Sequence, residues 1–352
     1  MKRVLVFGAG AIGSLLGHRL ASAGHEVTLV GRPTYVQHVQ KHGLWLEERG
    51  ADPDARTAHP RAVQRIEELP ASQHSWDLAL LTVKTYDSTD AARALAAWLP
   101  RMVPLLVVQN GVGGEELAQQ VLEQTLIVSC VLTLSVSVLA PGRIRLETRR
   151  GGLNLAPTRK DQNVAHWAQL FAEAGMRVAV FPDYRAMKWS KLLLNIQANA
   201  IPAILDMTPA TVFADHSLFA LERVAFLEAL AVMRALQLRP CGFAGYPVEL
   251  LVWAMQALPA AVLRPVLRFL VASGRGEKKP SLQLDLAAGR QRSEALYLNG
   301  AVTAHAQRLR LHVPVNEAVL RILMDIASGR ELWDEWRGKP HKLIAAVQAV
   351  GR

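Results

Sequence analysis

The sequence predicts an α/β protein in which an N-terminal Rossmann-type, doubly wound sheet is followed by an all-helical C-terminal domain. In the first half of the chain, short apolar runs alternate with helical stretches, as in a parallel sheet covered by helices. After Pro182 the strand pattern stops, and Ala- and Leu-rich segments with helical spacing follow. A length of 352 residues suits two domains, which we expect at residues 1–182 and 183–352.

The individual elements follow from the same patterns. Apolar runs predict strands at 2–8, 26–32, 78–83, 103–109 and 126–134, and a helix is predicted at 11–23. Two further strands, antiparallel or at an edge of the sheet, are predicted at 143–155 and 176–181. In the second half, the spacing predicts helices at 184–205, 211–236, 248–257 and 293–309, with a charged loop at 273–280.

Composition argues against several classes of protein. Hydrophobic residues make up 51% of the chain, which is enough for packed cores and unlike a disordered protein. The only cysteines, Cys130 and Cys241, form no CxxC pair, so the sequence predicts neither a disulfide scaffold nor a metal site and favours a cytoplasmic protein. The apolar stretch 248–272 is interrupted by charges and prolines, so no membrane span is expected.

The charge of the chain indicates what kind of partner it has. The net charge is +10, but the basic residues are spread along the chain and do not form a stripe interleaved with aromatic residues. We therefore expect small anionic ligands and no nucleic acid. Long apolar helices after residue 205 leave room for a homodimer interface.

A glycine-rich loop follows the first predicted strand and opens the first predicted helix. It consists of Gly8, Ala9, Gly10, Ala11, Ile12 and Gly13. In this context Gly8 permits a tight turn, Gly10 lets a pyrophosphate approach the backbone, and Gly13 allows the helix to pack closely on the sheet. The phosphates would lie at the helix N-terminus, where unpaired N–H groups favour negative charge. The loop predicts a dinucleotide site; the alternative is a glycine turn in another α/β fold.

Three further residues stand where predicted strands end, the edge at which ligands bind in this architecture. Arg32 ends the second strand, where an NAD site usually carries an acidic residue, and an arginine suits the 2′-phosphate of NADPH. Lys84 and Asn110 follow later strands and are candidates for the cofactor or a substrate anion. The alternative for each is an ordinary solvated side chain or a turn residue.

A polar stripe is predicted on the first helix of the second domain. Lys191, Asn195 and Asn199 recur every four residues among leucines, which places them on one face of a mostly buried helix. A partly buried lysine has a lowered pKa and can protonate a developing alkoxide, while asparagines bind a carboxylate or hydroxyl without adding charge. The alternatives are a solvated surface stripe and, for the acid, the nearby Lys188.

Together these motifs resemble the ketopantoate reductase family along nearly the whole chain. The matching segments are GAGAIG at 8–13, VKTYD at 83–87, QNGVG at 109–113, WSKLLLNIQAN at 189–199, SLQLD at 281–285, SEALYLNG at 293–300 and HVPVN at 312–316. The lysine and asparagine segment with the downstream Ser and Glu is far more specific than the glycine loop.

The resemblance implies an NADPH-dependent reduction of a 2-oxo acid, with ketopantoate as the leading substrate and a place in pantothenate synthesis. By resemblance, Lys191 is the general acid and Glu294 faces the active site. Asn110, Asn195, Asn199 and Ser281 would bind the substrate, and Lys84 would lie near the cofactor or the substrate anion.

The sequence also departs from the family pattern. The spacing from Asp285 to Glu294 is one residue longer than the pattern, the segment 206–209 reads Asp-Met-Thr-Pro, and 248–280 lengthens the helical domain. Two alternatives follow: the same chemistry on a different branched 2-oxo acid, and a non-catalytic NADP-binding module.

Overall fold

The computed structural model describes residues 1–48, 56–70, 75–100, 102–148, 150–275 and 279–350, with the side chains of 271–275 left aside. The chain forms two compact units, which are described separately. The first comprises Met1–Gln109, Gly113–Met187 and Phe243–Tyr246, and the second comprises Asn110–Val112, Lys188–Gly242 and Pro247–Arg352.

The first unit is a mixed α/β structure. Its strands are β1 (Arg3–Phe7), β2 (Glu26–Val30), β3 (Leu44–Glu47), β4 (Thr57–Ala58), β5 (Arg61–Val63), β6 (Leu78–Leu81), β7 (Leu105–Val108), β8 (Ile127–Leu132), β9 (Val136–Ala140), β10 (Arg143–Leu146), β11 (Leu153–Pro157) and β12 (Val178–Val180). Its helices are α1 (Ala11–Ser22), α2 (Pro33–His42), α3 (Ser88–Ala96), α4 (Gly114–Val121) and α5 (Ala165–Glu173). Short 3₁₀ helices span Ile66–Glu68 and Thr85–Asp87.

The main sheet is doubly wound. Within the described residues its strand order is β12-β11-β8-β7-β6-β1-β2-β5, and β1 pairs in parallel with both β2 and β6. The strand order therefore reverses at β1, and the carboxyl end of β1 is the expected ligand site. Val4 and Val6 pack into the apolar cluster on one face, and Leu5 packs into the cluster on the other. Burial on both faces explains the continuous apolar runs of the sequence.

The additions to the sheet agree with the prediction in part. As predicted, β11 is antiparallel to its neighbour β8, and β12 is an edge strand. The single strand predicted at 143–155 is wrong, because β10 and β11 are separate and belong to different sheets. A second sheet, in the order β4-β3-β10-β9, was not predicted because its strands are short and only partly buried.

The second unit is all-helical in its described residues. Its helices are α6 (Tyr184–Ile196, whose first turn belongs to the first unit), α7 (Ala200–Leu205), α8 (Pro209–Ala214), α9 (His216–Ala235), α10 (Val248–Ala257), α11 (Ala260–Arg275), α12 (Ser281–Ala287), α13 (Asn299–Leu309), α14 (Pro314–Ala327) and α15 (Pro340–Val350). Two 3₁₀ helices span Glu294–Tyr297 and Trp333–Glu335. The expected α/β fold class with a helical C-terminal region is confirmed.

Some helix predictions need correction. The helix predicted at 184–205 is broken after Ile196, and the one predicted at 211–236 is broken at Asp215, whose carboxylate accepts hydrogen bonds from the N–H groups of Ser217 and Leu218. Such a cap starts a new helix. The charged loop predicted at 273–280 begins later, because α11 runs to Arg275; residues 276–278 lie outside the described residues.

Two kinds of feature are absent from the described part of the chain, a membrane-spanning helix and a metal-ligand cluster. No helix there has the length and apolar character needed to cross a bilayer. No group of three or more His, Cys, Asp or Glu side chains lies close enough to hold a metal ion.

Candidate functional site

The glycine loop of the first unit is shaped by two close backbone approaches. Gly8 has φ +113°, a conformation that side chains rarely adopt, and a Cβ there would lie 2.7 Å from the backbone N of Val83. A Cβ on Gly13 would overlap the carbonyl oxygen of Gly8. The Thr82 hydroxyl donates to the same oxygen at 2.7 Å, which joins the loop to the end of β6.

Gly10 lies in a more open environment than Gly8 and Gly13. It is the extended N-cap of α1, and among the described residues only its neighbours in the chain lie within 4 Å of the position that a Cβ would occupy. The N–H groups in the first turn of α1 have no acceptors within the helix. The other residues of the loop are Ala9, Ala11 and Ile12. The loop therefore fits the pyrophosphate of a dinucleotide.

Arg32 lies at the end of β2 as the exposed N-cap of α2. Tyr35 joins α2 to α1, because its hydroxyl accepts a hydrogen bond from the hydroxyl of Ser14 at 3.0 Å. Burial raises the pKa of Tyr35 to about 12, so the phenol stays neutral. The Tyr35 ring also packs against Gly31, where it would lie 2.8 Å from a Cβ. Tyr35 was not predicted as a site residue, although its position three residues after the predicted strand 26–32 was a possible signal.

Two loops follow β6 and β7. Lys84 is half-buried and precedes the 3₁₀ helix Thr85–Asp87. The side chain of Gln109 is buried and donates to the carbonyl of Val83 at 2.9 Å and to the hydroxyl of Ser88 at 2.8 Å. Gln109 therefore fixes the backbone beside Lys84. It stands next to Asn110 in the QNGVG segment, where the sequence analysis selected only the asparagine.

The second unit contains the short segment Asn110–Val112. The N–H of Val112 donates to the carbonyl of Tyr297 at 2.9 Å. Gly111 has φ +79°, and a Cβ there would lie 2.5 Å from the same carbonyl oxygen. Only glycine fits this approach. The segment with Asn110 thus packs against the 3₁₀ helix Glu294–Tyr297. Glu294 itself is buried, with 5% of its surface exposed.

Helix α6 carries the lysine and the first asparagine. It is mostly buried, as expected, and Lys191 is half-buried while Lys188 is only 3% exposed. The amide of Asn195 donates to the amide oxygen of Asn110 at 3.4 Å. Two candidates that are 85 residues apart in the sequence are therefore neighbours in the second unit.

Asn199 does not continue the stripe of α6. It is the N-cap of α7, and it follows Ala198, which has φ +51°. Its amide nitrogen donates to the carbonyl of Asn195 at 3.1 Å, and its amide oxygen accepts from the N–H of Leu282 at 3.4 Å. The prediction of one straight polar stripe is wrong because the helix ends between the two asparagines.

Ser281 is the exposed first residue of α12, directly before Leu282. Contacts within the second unit therefore link the surroundings of all the predicted substrate ligands: Asn110, Asn195, Asn199 and Ser281. Lys191 lies one turn before Asn195 on α6. The glycine loop, Arg32 and Lys84 belong to the first unit.

A charged cluster lies beside α12. Asp206, in the left-handed conformation at the end of α7, accepts from Gln283 at 2.6 Å and from Lys279 at 3.2 Å. Arg337 lies 3.7 Å from its other oxygen. Burial opposes ionisation, but these partners hold the pKa of Asp206 below its ordinary value. From the sequence alone, the segment 206–209 was noted only as a departure from the family pattern.

Comparison with family models matches both halves of the chain. Residues 4–160 match the family described as ketopantoate reductase PanE/ApbA, and residues 183–327 match its C-terminal part. A protein of Mesorhizobium japonicum named 2-dehydropantoate 2-reductase is 30% identical over 93% of this chain and 98% of its own length.

Solved structures of similar fold agree with the family match. A PanE/ApbA family ketopantoate reductase from Ralstonia eutropha is 28% identical, covers 93% of this chain and 99% of its own, and has a TM-score of 0.77. The complex of D-mandelate dehydrogenase with NADH and anilino(oxo)acetate, with the same TM-score and coverage but 19% identity, shares the fold. The chain belongs to the ketopantoate reductase family and is an oxidoreductase of that family.

Proposed function

We propose that this protein reduces 2-dehydropantoate (ketopantoate) to pantoate with NADPH, a step of pantothenate synthesis. The observation that carries the proposal is the polar cluster of the second unit. It combines the half-buried Lys191 with Asn110, Asn195 and the neighbourhood of Ser281. The M. japonicum relative is named 2-dehydropantoate 2-reductase, which supports the choice of substrate.

The first unit would hold the cofactor. The N–H groups in the first turn of α1 and the open space at Gly10 suit the pyrophosphate. Arg32 would pair with the 2′-phosphate, because a guanidinium binds phosphate oxygens with two parallel hydrogen bonds. Lys84 would add positive charge near the phosphates or the substrate carboxylate. When bound, NADPH supplies the hydride that reaches C2 of the 2-oxo acid.

The second unit would hold the substrate and supply the proton. Asn110, Asn195, Asn199 and Ser281 would bind its carboxylate and hydroxyl groups. Lys191 would donate a proton to the C2 carbonyl oxygen as the carbon–oxygen double bond is reduced, so that no free alkoxide is formed. Glu294 would face the same site. Fixed donors of this kind also restrict the substrate to one orientation for hydride transfer.

A second candidate keeps this chemistry but changes the substrate to another branched 2-oxo acid. It is favoured by the cluster around Asp206, which replaces the family pattern in 206–209 with an acidic side chain bound to Lys279 and Gln283. A non-catalytic NADP-binding module is the remote third candidate. The retention of Lys191 and the asparagines speaks against it.

The deciding experiment is a steady-state panel with purified full-length protein. NADPH and NADH are each tested with ketopantoate and with other branched and aromatic 2-oxo acids. We expect the highest kcat/KM with NADPH and ketopantoate. A tenfold higher value with another acid would support the second candidate, and NADPH binding without turnover of any acid would support the third.

A further inference from the structure

The break between α6 and α7 is an unusual piece of backbone. After Ile196 the chain turns for three residues before α7 starts at Ala200. Within the turn, Ala198 adopts φ +51° although it carries a side chain, and it is 1% exposed. Residues other than glycine seldom occupy this conformation unless their surroundings impose it. Some interaction must therefore hold the turn in place.

Glu222 of α9 supplies that interaction. One of its carboxylate oxygens accepts the N–H of Ala198 at 2.9 Å, and its main-chain carbonyl accepts the amide of Gln197 at 3.0 Å. A single residue thus binds two consecutive residues of the turn. Glu222 is 1% exposed, so water competes little for its hydrogen bond to Ala198.

The turn decides where Asn199 points. In a continuous helix, Asn199 would lie about 6 Å further along the α6 axis than Asn195. Because the chain turns, its amide instead joins the carbonyl of Asn195 to the N–H of Leu282, next to Ser281. The geometry of the turn therefore determines the spacing between the end of α6 and the start of α12.

We propose that Glu222 is a positioning residue that sets the substrate-binding geometry by holding the turn 197–199. The inference rests on the proposed function, in which Asn195, Asn199 and Ser281 bind the 2-oxo acid. Glu222 acts through the backbone of Ala198 and takes no part in proton transfer.

The test compares three variants of the full-length protein. Glu222→Leu removes the acceptor while keeping a side chain of similar size, and Glu222→Gln keeps an oxygen that can accept the same N–H. Met233→Ala, at a fully buried position three turns further along α9, lowers stability without touching the turn. Each variant is measured for thermal stability, for the Kd of NADPH, and for KM and kcat with the best 2-oxo acid of the panel.

For Glu222→Leu we expect KM for the 2-oxo acid to rise about tenfold or more, with an unchanged Kd for NADPH. Glu222→Gln should stay within about threefold of the wild-type KM, because the hydrogen bond to Ala198 persists. Met233→Ala should lower the melting temperature and leave KM unchanged. An unchanged KM in Glu222→Leu, or an equal rise in Met233→Ala, would overturn the proposal.

Hydrogen exchange of residues 192–205 separates this proposal from the proposed function. In Glu222→Leu this segment should lose protection while the rest of α9 keeps it, and in Glu222→Gln it should remain protected. That result does not depend on any substrate. Wild-type protein that reduces no 2-oxo acid would refute the proposed function alone, whereas unchanged exchange in Glu222→Leu would refute the role of Glu222.

Discussion

The two candidate sites are built in different ways. The nucleotide loop comes from one stretch of sequence, and its shape follows from glycines that permit close approaches to β6 and to its own backbone. The substrate cluster gathers residues from segments as far apart as Asn110, Asn195 and Leu282. A contiguous motif therefore specifies geometry, whereas a dispersed one specifies only an inventory of side chains. The predictions below test this contrast.

The largest effect is expected at the proposed acid of the dispersed site. Lys191→Met should lower kcat by about 10²–10⁴-fold, because general acid catalysis typically contributes that much, and NADPH affinity should persist. Kinetics together with a fluorescence titration of NADPH measure both quantities.

The matched control for the lysine is Lys188→Met on the same helix. Lys188 is the more buried of the two, so thermal stability is measured together with kcat for this variant. We expect a smaller loss of kcat than in Lys191→Met. If Lys188→Met caused the greater loss, the assignment of the acid would move to Lys188.

A matched glycine pair tests the contiguous site. In Gly13→Ala the new methyl group meets the Thr82 hydroxyl at 2.6 Å as well as the Gly8 carbonyl, so the free energy of unfolding should fall by about 1–3 kcal/mol. In Gly10→Ala the methyl group meets no described residue within 4 Å apart from its neighbours in the chain. That variant should keep its stability and lose NADPH affinity, because the methyl group would occupy the space in which we propose that the pyrophosphate binds. Equal stability losses in both variants would contradict this account of the loop.

The next largest effect is expected on the preference for NADPH over NADH. Arg32→Ala should reduce the preference for NADPH over NADH by about 10- to 100-fold, the value of a charge-assisted hydrogen bond. The ratio of kcat/KM for the two cofactors measures it. Lys41→Ala, at the exposed far end of α2, serves as the control and should leave the ratio unchanged. An unchanged ratio in Arg32→Ala would remove the main reason for expecting NADPH.

The smallest effect concerns acid stability beside the substrate cluster. The pKa of Asp206 is lower in the folded protein than its ordinary value of 3.8. Its stabilising contribution is therefore complete above the unfolded pKa and is lost as pH falls through the folded one. The difference in unfolding free energy between wild type and Asp206→Asn should be below about 1 kcal/mol at neutral pH. The difference should shrink as the pH falls below 3.8, and a difference that stays constant there in denaturant titrations would contradict the assignment.

Sequence periodicity predicted the elements whose residues are buried in a regular pattern. The first helix and Val248–Ala257 were found almost to the residue, and the central parallel strands were found because both of their faces are buried. In the small sheet, β3, β4 and β9 were missed and β10 was joined to β11 in one predicted strand, since the strands of this sheet are two to five residues long and carry little periodicity. Strand pairing over long sequence distances leaves no signal in so short a segment.

For the candidate site, the sequence by itself determined the chemical inventory: a glycine loop, an arginine at a strand end, a lysine and several amides. Only the tertiary structure decided how the amides are arranged. The spacing of Lys191, Asn195 and Asn199 fits one helix, yet Glu222, buried on α9, holds a turn that ends the helix before Asn199. Helical periodicity reflects only neighbours along the chain, whereas this break is imposed by a hydrogen bond that Ala198 donates to a residue 24 positions away.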